Sequence, residues 1–254
     1  MPSVVIVTGA SKGIGRQVCV HLLATYPELI VVATARSGTQ LADLQAQTDA
    51  RRLIPVAGDI GHETTQQQVV QQAKAAGHVC ALVNNAARVA PTGRLLDIAP
   101  SEWAKVWTTN FLAAQALIHG ISDHLLARDG ARIVNVTSST SQGPVRGFAA
   151  YGSTKVALNY LTQAIALEYP QITAVAFYPG VVDTEMNKDA LNAACAYDSE
   201  SMRVVVDKLQ APISVHLPAA IIANLAMCAD PKLSGKYFVY SDAEMAPYSD
   251  IEEH

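Results

Sequence analysis

The sequence contains no run of lysine or arginine residues, and charged residues of either sign make up only 16% of it. Its 18 basic side chains are outnumbered by 22 acidic ones, which gives a formal net charge of -4. A protein that holds a nucleic-acid backbone needs a basic patch or stripe to neutralise the phosphates. We therefore expect no nucleic-acid partner.

Closely spaced cysteines are also absent, because the four cysteines stand at positions 19, 80, 195 and 228. A structural zinc site or a disulfide framework needs cysteines at short or regular intervals. We therefore expect no metal site, and we interpret these residues as buried thiols in a reducing compartment.

A long uninterrupted apolar run is missing as well. The longest apolar stretch, Ala211 to Cys228, is broken by prolines and polar residues, whereas a membrane-spanning helix needs roughly 20 apolar residues. The first apolar run has no basic region or cleavage site around it, and the last three residues are not a peroxisomal signal. We expect no membrane partner and a cytoplasmic location.

Short β-branched runs alternate with longer helical stretches along the chain. Continuous apolar strands suit a parallel sheet that is covered on both faces, and the intervening helices supply the crossovers. The pattern predicts an α/β, Rossmann-like doubly wound fold with a seven-stranded parallel sheet and helices on both faces. No linker or repeat divides residues 1–254, so we expect a single domain. The predicted strands are Val4–Val7, Ile30–Ala33, Leu53–Ala57, Ala81–Asn84, Arg132–Thr137, Thr173–Tyr178 and Lys236–Tyr240.

A glycine-rich loop from Thr8 to Gly15 follows the first predicted strand. Its glycines at positions 9, 13 and 15 let the backbone approach a pyrophosphate, whose charge is favoured by the free N–H groups and the dipole of the next helix. The order of strand, turn and helix favours a dinucleotide site over a plain tight turn.

The end of the second predicted strand carries no acidic residue, although a fold that binds NAD normally has one there for the ribose hydroxyls. Arg36 takes this place, and Lys12 lies in the glycine loop. Two cations that converge suit a ribose 2′-phosphate, so we expect NADP(H) rather than NAD. The alternative is that both residues are solvated surface charges.

Polar residues also follow the third and fourth predicted strands. Asp59 either accepts a hydrogen bond from an adenine amino group or caps the helix that begins nearby. In the run Asn84-Asn85-Ala86-Ala87, the small residues allow close passage over a cofactor, whereas the amides can also tie neighbouring strands together. Asn110 lies within a helical pattern, where a local backbone bond, a kink or an ordered water would each explain an asparagine.

Tyr151 and Lys155 stand four residues apart in a segment predicted to be helical, so their side chains lie one turn apart on the same face. A nearby positive charge lowers the pKa of a phenol, which is normally ~10. The spacing favours a proton donor, and the alternative is a core ring beside a solvated charge.

Taken together, these motifs resemble the classical short-chain dehydrogenase/reductase family. The resemblance covers essentially the whole chain and implies a single NADP(H)-binding catalytic domain that acts on CH–OH and C=O groups. The motifs that carry it, in chain order, are the glycine loop Thr8–Gly15, Asp59, Asn84-Asn85-Ala86, Asn110, Ser138, Tyr151-x-x-x-Lys155 and Pro179-Gly180.

The resemblance also implies four catalytic roles. Tyr151 would be the general acid/base, and Lys155 would bind the nicotinamide ribose and lower the pKa of Tyr151. Ser138 would orient the carbonyl, with Ser139 as the fallback, and Asn110 would hold a water in the proton relay. The cofactor-binding residues that we predict are Gly9, Ser11, Lys12, Gly13, Ile14, Gly15, Arg36, Asp59, Ile60, Asn85, Ala86, Tyr151, Lys155, Pro179, Gly180, Val182 and Thr184.

Within the family, the loop Tyr178–Met186 and the segment Ser234–Asp242 look most like those of benzil reductases and sepiapterin reductases. The chain departs from the family at Ala87, where glycine is usual. Residues 185–210 occupy the position of the variable substrate lid, which implies a small apolar or aromatic ketone or diketone as substrate. The apolar residues of this segment are Met186, Leu191, Ala193, Ala194, Tyr197 and Met202.

Two other functions fit the same motifs. A non-catalytic NADP(H)-binding sensor or interaction protein needs only the glycine loop, Arg36 and Asp59, and an NADP-dependent alcohol dehydrogenase would run the same chemistry in the oxidative direction. The predicted helices Ser101–Leu126 and Tyr151–Tyr169 are apolar on more than one face, which predicts a homodimer or homotetramer.

Overall fold

A seven-stranded parallel sheet forms the centre of the protein, in a computed structural model that describes residues 1–197 and 212–249. The strand order within this described part is β3-β2-β1-β4-β5-β6-β7, and each neighbouring pair is parallel. The strands are β1 (Ser3–Thr8), β2 (Leu29–Ala35), β3 (Leu53–Ala57), β4 (His78–Asn84), β5 (Ala131–Val136), β6 (Ile172–Tyr178) and β7 (Tyr237–Val239).

Helices connect successive strands and cover both faces of the sheet, which confirms the predicted Rossmann-like doubly wound single domain. The helices are α1 (Gly13–Thr25), α2 (Gly38–Gln47), α3 (Glu63–Ala76), α4 (Pro100–Trp107), α5 (Ala113–Gly120), α6 (Ser122–Leu126), α7 (Ala149–Glu168), α8 (Glu185–Tyr197) and α9 (His216–Cys228).

Two hydrophobic cores lie on opposite faces of the sheet, and β1 contributes to both. Val5 and Val7 belong to the core that includes α1 and α9, while Val4 and Ile6 belong to the core that includes α3 and α5. Successive side chains of a strand point to opposite faces, so a strand covered on both sides is apolar at every position. This explains why the central strands read as continuous apolar runs.

The predicted strands all form, with small shifts at their ends. β4 begins at His78 rather than Ala81, and β5 ends at Val136 rather than Thr137. The N–H of Thr137 still donates to the carbonyl of Phe177, 2.8 Å away, so the predicted end is one residue beyond the regular ladder.

The helix predicted from Ser101 to Leu126 is not continuous, which corrects that expectation. The chain passes from α4 into a π-helical turn at Thr108–Leu112, then into α5, and Ile121 separates α5 from α6. A π-helical turn adds a residue to one turn and is frequent at functional sites. Here it carries Asn110 inward, where the side chain is buried.

The strand order reverses between β1 and β4, and the carboxyl ends of both strands lie at the same edge of the sheet. In open α/β sheets, ligands bind in the crevice outside this edge, at the point of reversal. The fold therefore places the glycine loop after β1 beside the residues that follow β4.

No helix in the described part of the chain is long and apolar enough to cross a membrane. Among residues 1–197 and 212–249, no cluster of three or more His, Cys, Asp or Glu side chains is arranged to hold a metal ion.

Candidate active site

A cleft of about 1080 Å³ opens at the carboxyl edge of the sheet, and most of the predicted site residues line it. They come from segments far apart in the chain, so the fold assembles them into one site. The predicted residues in its wall are Gly9, Ser11, Lys12, Gly13, Ile14, Arg36, Asp59, Ile60, Asn85, Ala86, Ser138, Tyr151, Lys155, Pro179, Gly180, Val182 and Thr184.

The glycine loop turns sharply between β1 and α1. The backbone φ angles of Gly9 and Gly13 are +69° and +56°. A residue with a side chain would be strained in this left-handed region. A methyl group on Gly15 would lie 2.4 Å from the carbonyl oxygen of Gly9. Gly15 is buried behind the loop and does not line the cleft, so its position gives it a packing role.

Hydrogen bonds fix this loop to the end of β4. The Thr8 hydroxyl accepts from the backbone N–H groups of Asn85 and Ala86, each 2.9 Å away, and the Asn85 amide donates to the carbonyl of Thr8 at 2.8 Å. Asn84 donates to the Asn135 side chain at 2.8 Å and so ties β4 to β5. The amides therefore connect strands, while Asn85 and Ala86 also face the cleft.

Arg36 and Asp59 line the end of the cleft formed by β2 and β3. Asp59 accepts a hydrogen bond from the N–H of Gly61 at 2.9 Å, whereas the residue that precedes α3 is His62. Asp59 thus stabilises a turn and does not cap the helix. Beside them, the Thr34 hydroxyl is buried and has no hydrogen-bond partner among the described residues.

Ser138, Tyr151 and Lys155 meet at the other end of the cleft. Ser138 precedes the 3-10 helix Ser139–Ser141, and its hydroxyl accepts from the N–H of Thr140 at 3.2 Å. The Ser138 hydroxyl lies near enough to Tyr151 to act on the pKa of its phenol. The cleft is lined by Ser138 and not by Ser139, which favours Ser138 of the two.

Lys155 lies one turn of α7 after Tyr151, and its Nζ atom is 5.5 Å from the centre of the tyrosine ring. Burial is the main cause of the shift in both groups: it raises the pKa of Tyr151 to about 12 and lowers the pKa of Lys155 to about 7. The Ser138 hydroxyl acts in the lowering direction on the pKa of Tyr151, and the neighbouring Tyr178 acts in the raising direction. The predicted lowering of the Tyr151 pKa by Lys155 is therefore not seen, because burial dominates the shift and raises it.

Asn110 lies beneath the cleft rather than in its wall. Its side chain accepts from the N–H of Arg88 at 2.7 Å and donates to the carbonyl of Arg88 at 3.0 Å. It also donates to the Thr154 hydroxyl at 3.1 Å. Asn110 thus connects the segment after β4 to α7, the helix that carries Tyr151. Its backbone bonds go to the distant Arg88 and are not local, and the helix is irregular at this point.

Comparison with known proteins identifies the family. The profile of the short chain dehydrogenase family matches residues 3–194, about three quarters of the chain. The chain belongs to the short-chain dehydrogenase family. Members of this family are oxidoreductases that use a nicotinamide cofactor.

Two yeast relatives match nearly the whole length of this short-chain dehydrogenase, and a bovine relative matches most of it. An uncharacterized oxidoreductase of Saccharomyces cerevisiae is 30% identical over 98% of this chain and 99% of its own. A benzil reductase of the same yeast, which forms (S)-benzoin, is 29% identical over 97% of this chain and 99% of its own length. Bovine sepiapterin reductase is 29% identical over 72% of this chain and 74% of its own length.

The solved structures lead to the same fold. The crystal structure of a short-chain dehydrogenase/reductase from Saccharomyces cerevisiae superposes with a TM-score of 0.88. That protein is 28% identical, and the match covers 98% of this chain and 100% of the other.

This short-chain dehydrogenase also has cleft residues that the sequence did not indicate. Arg88, Val89 and Ala90 follow β4 into the wall, and Thr34 lies at the end of β2. Their position at or just after the carboxyl end of a strand could have indicated that they line the cleft. Glu185 also lines the cleft and forms an ion pair with Lys12, a contact across 173 positions that no local pattern reveals.

The predicted substrate lid is described in part. α8 begins at Glu185, and Met186 lies in the wall of the cleft. Residues 198–210, including Met202, lie outside the described residues. The same holds for four side chains of α8, those of Leu191, Ala193, Ala194 and Tyr197.

Proposed function

We propose that this short-chain dehydrogenase is an NADPH-dependent carbonyl reductase whose substrate is a small apolar or aromatic ketone or diketone. The observation that supports it best is that Ser138, Tyr151 and the buried Lys155 line one cleft, with the Lys155 Nζ atom 5.5 Å from the centre of the Tyr151 ring. These groups lie in the same cleft as the glycine loop and Arg36, so cofactor-binding and proton-transfer groups share one space. The proposal includes residues 1–254 as one catalytic domain, residues 185–210 as its substrate lid, and a cytoplasmic location.

The side chains of Ser138, Tyr151 and Lys155 suit the reduction of a carbonyl group. Bound NADPH supplies the hydride. As negative charge develops on the carbonyl oxygen, the Ser138 hydroxyl donates a hydrogen bond to that oxygen and Tyr151 delivers the proton. A pKa of about 12 keeps Tyr151 protonated at neutral pH, as an acid must be. Lys155 would hold the ribose. Asn110 holds two parts of the site in place, the segment that follows β4 and the helix α7.

The fit to a phosphorylated dinucleotide rests on the glycine loop and its neighbours. Gly9, Gly13 and Ile14 line the cleft where α1 begins, so the free N–H groups of this helix start can face a pyrophosphate. The end of β2 presents Arg36 in place of a carboxylate, and the Thr34 hydroxyl beside it has no partner among the described residues. These groups favour a 2′-phosphate over free ribose hydroxyls.

The proposed substrate class is supported by apolar residues in the wall of the cleft. Val89, Ala90, Val136 and Met186 line it together with Tyr151, so an apolar or aromatic carbonyl compound could bury its surface against them. The yeast benzil reductase among the relatives supports an aromatic diketone of the benzil type.

The apolar outer face of α7 supports a homodimer or homotetramer as part of the same proposal. Val156 is 50% exposed, Tyr160 is 73% exposed and Leu167 is 84% exposed. Exposed apolar residues that share one helix face are typical of a surface covered by another subunit.

The test is the loss of NADPH absorbance with a panel of diketones, quinones, pterins, steroids and acyl thioesters. We expect Tyr151→Phe to lower turnover of the best ketone by ~10²–10⁴-fold while NADPH binding persists, and Tyr169→Phe to serve as the matched control on the same segment. NADPH binding without turnover of any compound would favour the non-catalytic sensor. Faster oxidation of the alcohol products with NADP⁺ than reduction of the ketones would favour the alcohol dehydrogenase.

A further inference from the structure

The side chains of Lys12 and Glu185 form an ion pair across the mouth of the cleft. Lys12 precedes the first turn of α1, and Glu185 is the first residue of α8. Both line the cleft, and their side chains are 53% and 70% exposed. The hydrogen bond from Lys12 lowers the pKa of the Glu185 carboxyl, so Glu185 is ionised at neutral pH.

The backbone also brings these two segments together. A methyl group on Gly13 would lie 3.2 Å from the Cγ2 atom of Thr184, the residue before Glu185. The start of α8 thus packs next to the glycine loop, and the ion pair is not merely two long side chains that reach across solvent. Residues on either side of the pair fix the distance between its partners.

Lys12 is also one of the two cations proposed to bind the 2′-phosphate. An ammonium that is already paired with a carboxylate attracts a second anion less, and the carboxylate repels that anion. A 2′-phosphate must therefore displace Glu185 from Lys12 or bind beside a like charge. A cofactor that lacks this phosphate meets neither cost.

We infer that Glu185 is a specificity-determining residue that competes with the cofactor 2′-phosphate for Lys12 and so limits the preference for NADPH over NADH. The inference rests on the proposed NADP(H) function, because it requires Lys12 to contact that phosphate. Arg36 retains its attraction for the phosphate in either state, so Glu185 adjusts the preference and does not create it.

Both side chains of the ion pair are more than half exposed to solvent, which limits how far Glu185 can change NADPH affinity. Ion pairs between exposed side chains are weakened by the surrounding solvent, so the loss of this one should change affinity by no more than about five-fold. We expect removal of the Glu185 charge to tighten NADPH binding by about two- to five-fold at low ionic strength, and by less as salt screens the pair.

The experiment measures the dissociation constants of NADPH and NADH by cofactor fluorescence for the unmodified protein, Glu185→Gln, Lys12→Gln and the double variant. Glu185→Gln is expected to tighten NADPH binding and leave NADH binding unchanged. In the Lys12→Gln background the same change should have no effect on the NADPH constant. Asp183→Asn is the matched control, because Asp183 lines the same cleft but pairs with Lys188 at 2.7 Å.

The outcomes separate the inference from the proposed function. If the unmodified protein prefers NADH, the proposed cofactor is wrong and the inference falls with it. If it prefers NADPH but Glu185→Gln leaves the ratio of the two constants unchanged, only the inference is overturned. An equal gain in the Lys12→Gln background, or with Asp183→Asn, would show a general charge effect on the cleft and would also overturn it.

Discussion

The Nζ atom of Lys155 donates a hydrogen bond to the carbonyl oxygen of Val136, 2.8 Å away, although the lysine is only 2% exposed. A single neutral acceptor does not replace the hydration of an ammonium group, and burial accordingly lowers the pKa of Lys155 to about 7. The lysine is held close to Tyr151 at a cost in stability, as is typical of groups positioned for function.

This burial predicts a pH dependence of stability for the protein without ligand. The pKa of Lys155 is lowered from its ordinary 10.5 to about 7, so between these pH values the unfolded state binds more protons than the folded state. The free energy of unfolding should therefore rise with pH, by about 2 kcal/mol between about pH 7 and about pH 9. Urea unfolding at the two pH values measures it. Lys155→Met should abolish most of the rise, and an equal rise in that variant would contradict the assignment.

Gly15→Ala is predicted to disrupt the glycine loop. Its methyl group would lie 2.4 Å from the Gly9 carbonyl oxygen and 2.5 Å from the Asn85 amide nitrogen, and the backbone atom cannot move without opening the turn. We expect a loss of about 1–3 kcal/mol in stability and weaker NADPH binding. Thermal melting and cofactor titration measure these, with Gly143→Ala as the control because its added methyl group would meet nothing within 4 Å. Unchanged NADPH binding in Gly15→Ala would show that the loop tolerates the shift.

Much of this architecture was predictable because it depends on local patterns. Continuous apolar runs identify strands that are buried on both faces, and Gly9 and Gly13 mark the loop because few other residues adopt positive φ. Tyr151 and Lys155 come together through the helical repeat alone. These features need no knowledge of distant contacts.

What the sequence did not reveal depends on tertiary contacts. The π-helical turn at Thr108–Leu112 interrupts a pattern that favours a continuous helix, and it forms where the Asn110 side chain can bond to Arg88 and Thr154. The predicted direction of the Tyr151 pKa shift was wrong for a similar reason. Spacing along a helix shows that a charge is near, but only the folded structure shows how far the phenol is removed from water.

Asn110→Ala is predicted to loosen the segment after β4. The change leaves the part-buried N–H and carbonyl of Arg88 without their side-chain partner, and an unsatisfied group of this kind costs up to about 1–3 kcal/mol. We expect a stability loss of about 2–4 kcal/mol and a lower turnover number, with a smaller effect on NADPH binding. Asn110→Asp provides the comparison.

The aspartate in Asn110→Asp keeps the acceptor for the Arg88 N–H but can donate to the Arg88 carbonyl only when it is protonated. Burial raises the pKa of an unpaired carboxyl above its unfolded value, so stability should recover as pH falls through that raised pKa. Chemical unfolding over a range of pH measures the recovery. If the free energy of unfolding of Asn110→Asp were constant or fell with decreasing pH, the hydrogen-bond account of this residue would be wrong.

The exposed apolar face of α7 makes a prediction about assembly. Tyr160 and Leu167 are 73% and 84% exposed, and they lie on the helix that carries Tyr151 but point away from the cleft wall. If another copy of the chain covers this face, a charge placed there must be buried without a partner, which a subunit interface does not tolerate. Leu167→Glu should therefore shift the protein towards monomer in sedimentation velocity at micromolar concentration, whereas Gln72→Glu, which adds the same charge at an exposed position of α3, should leave assembly unaltered. A monomer in the unmodified protein at that concentration, or an unchanged oligomer in Leu167→Glu, would refute this assignment of the interface.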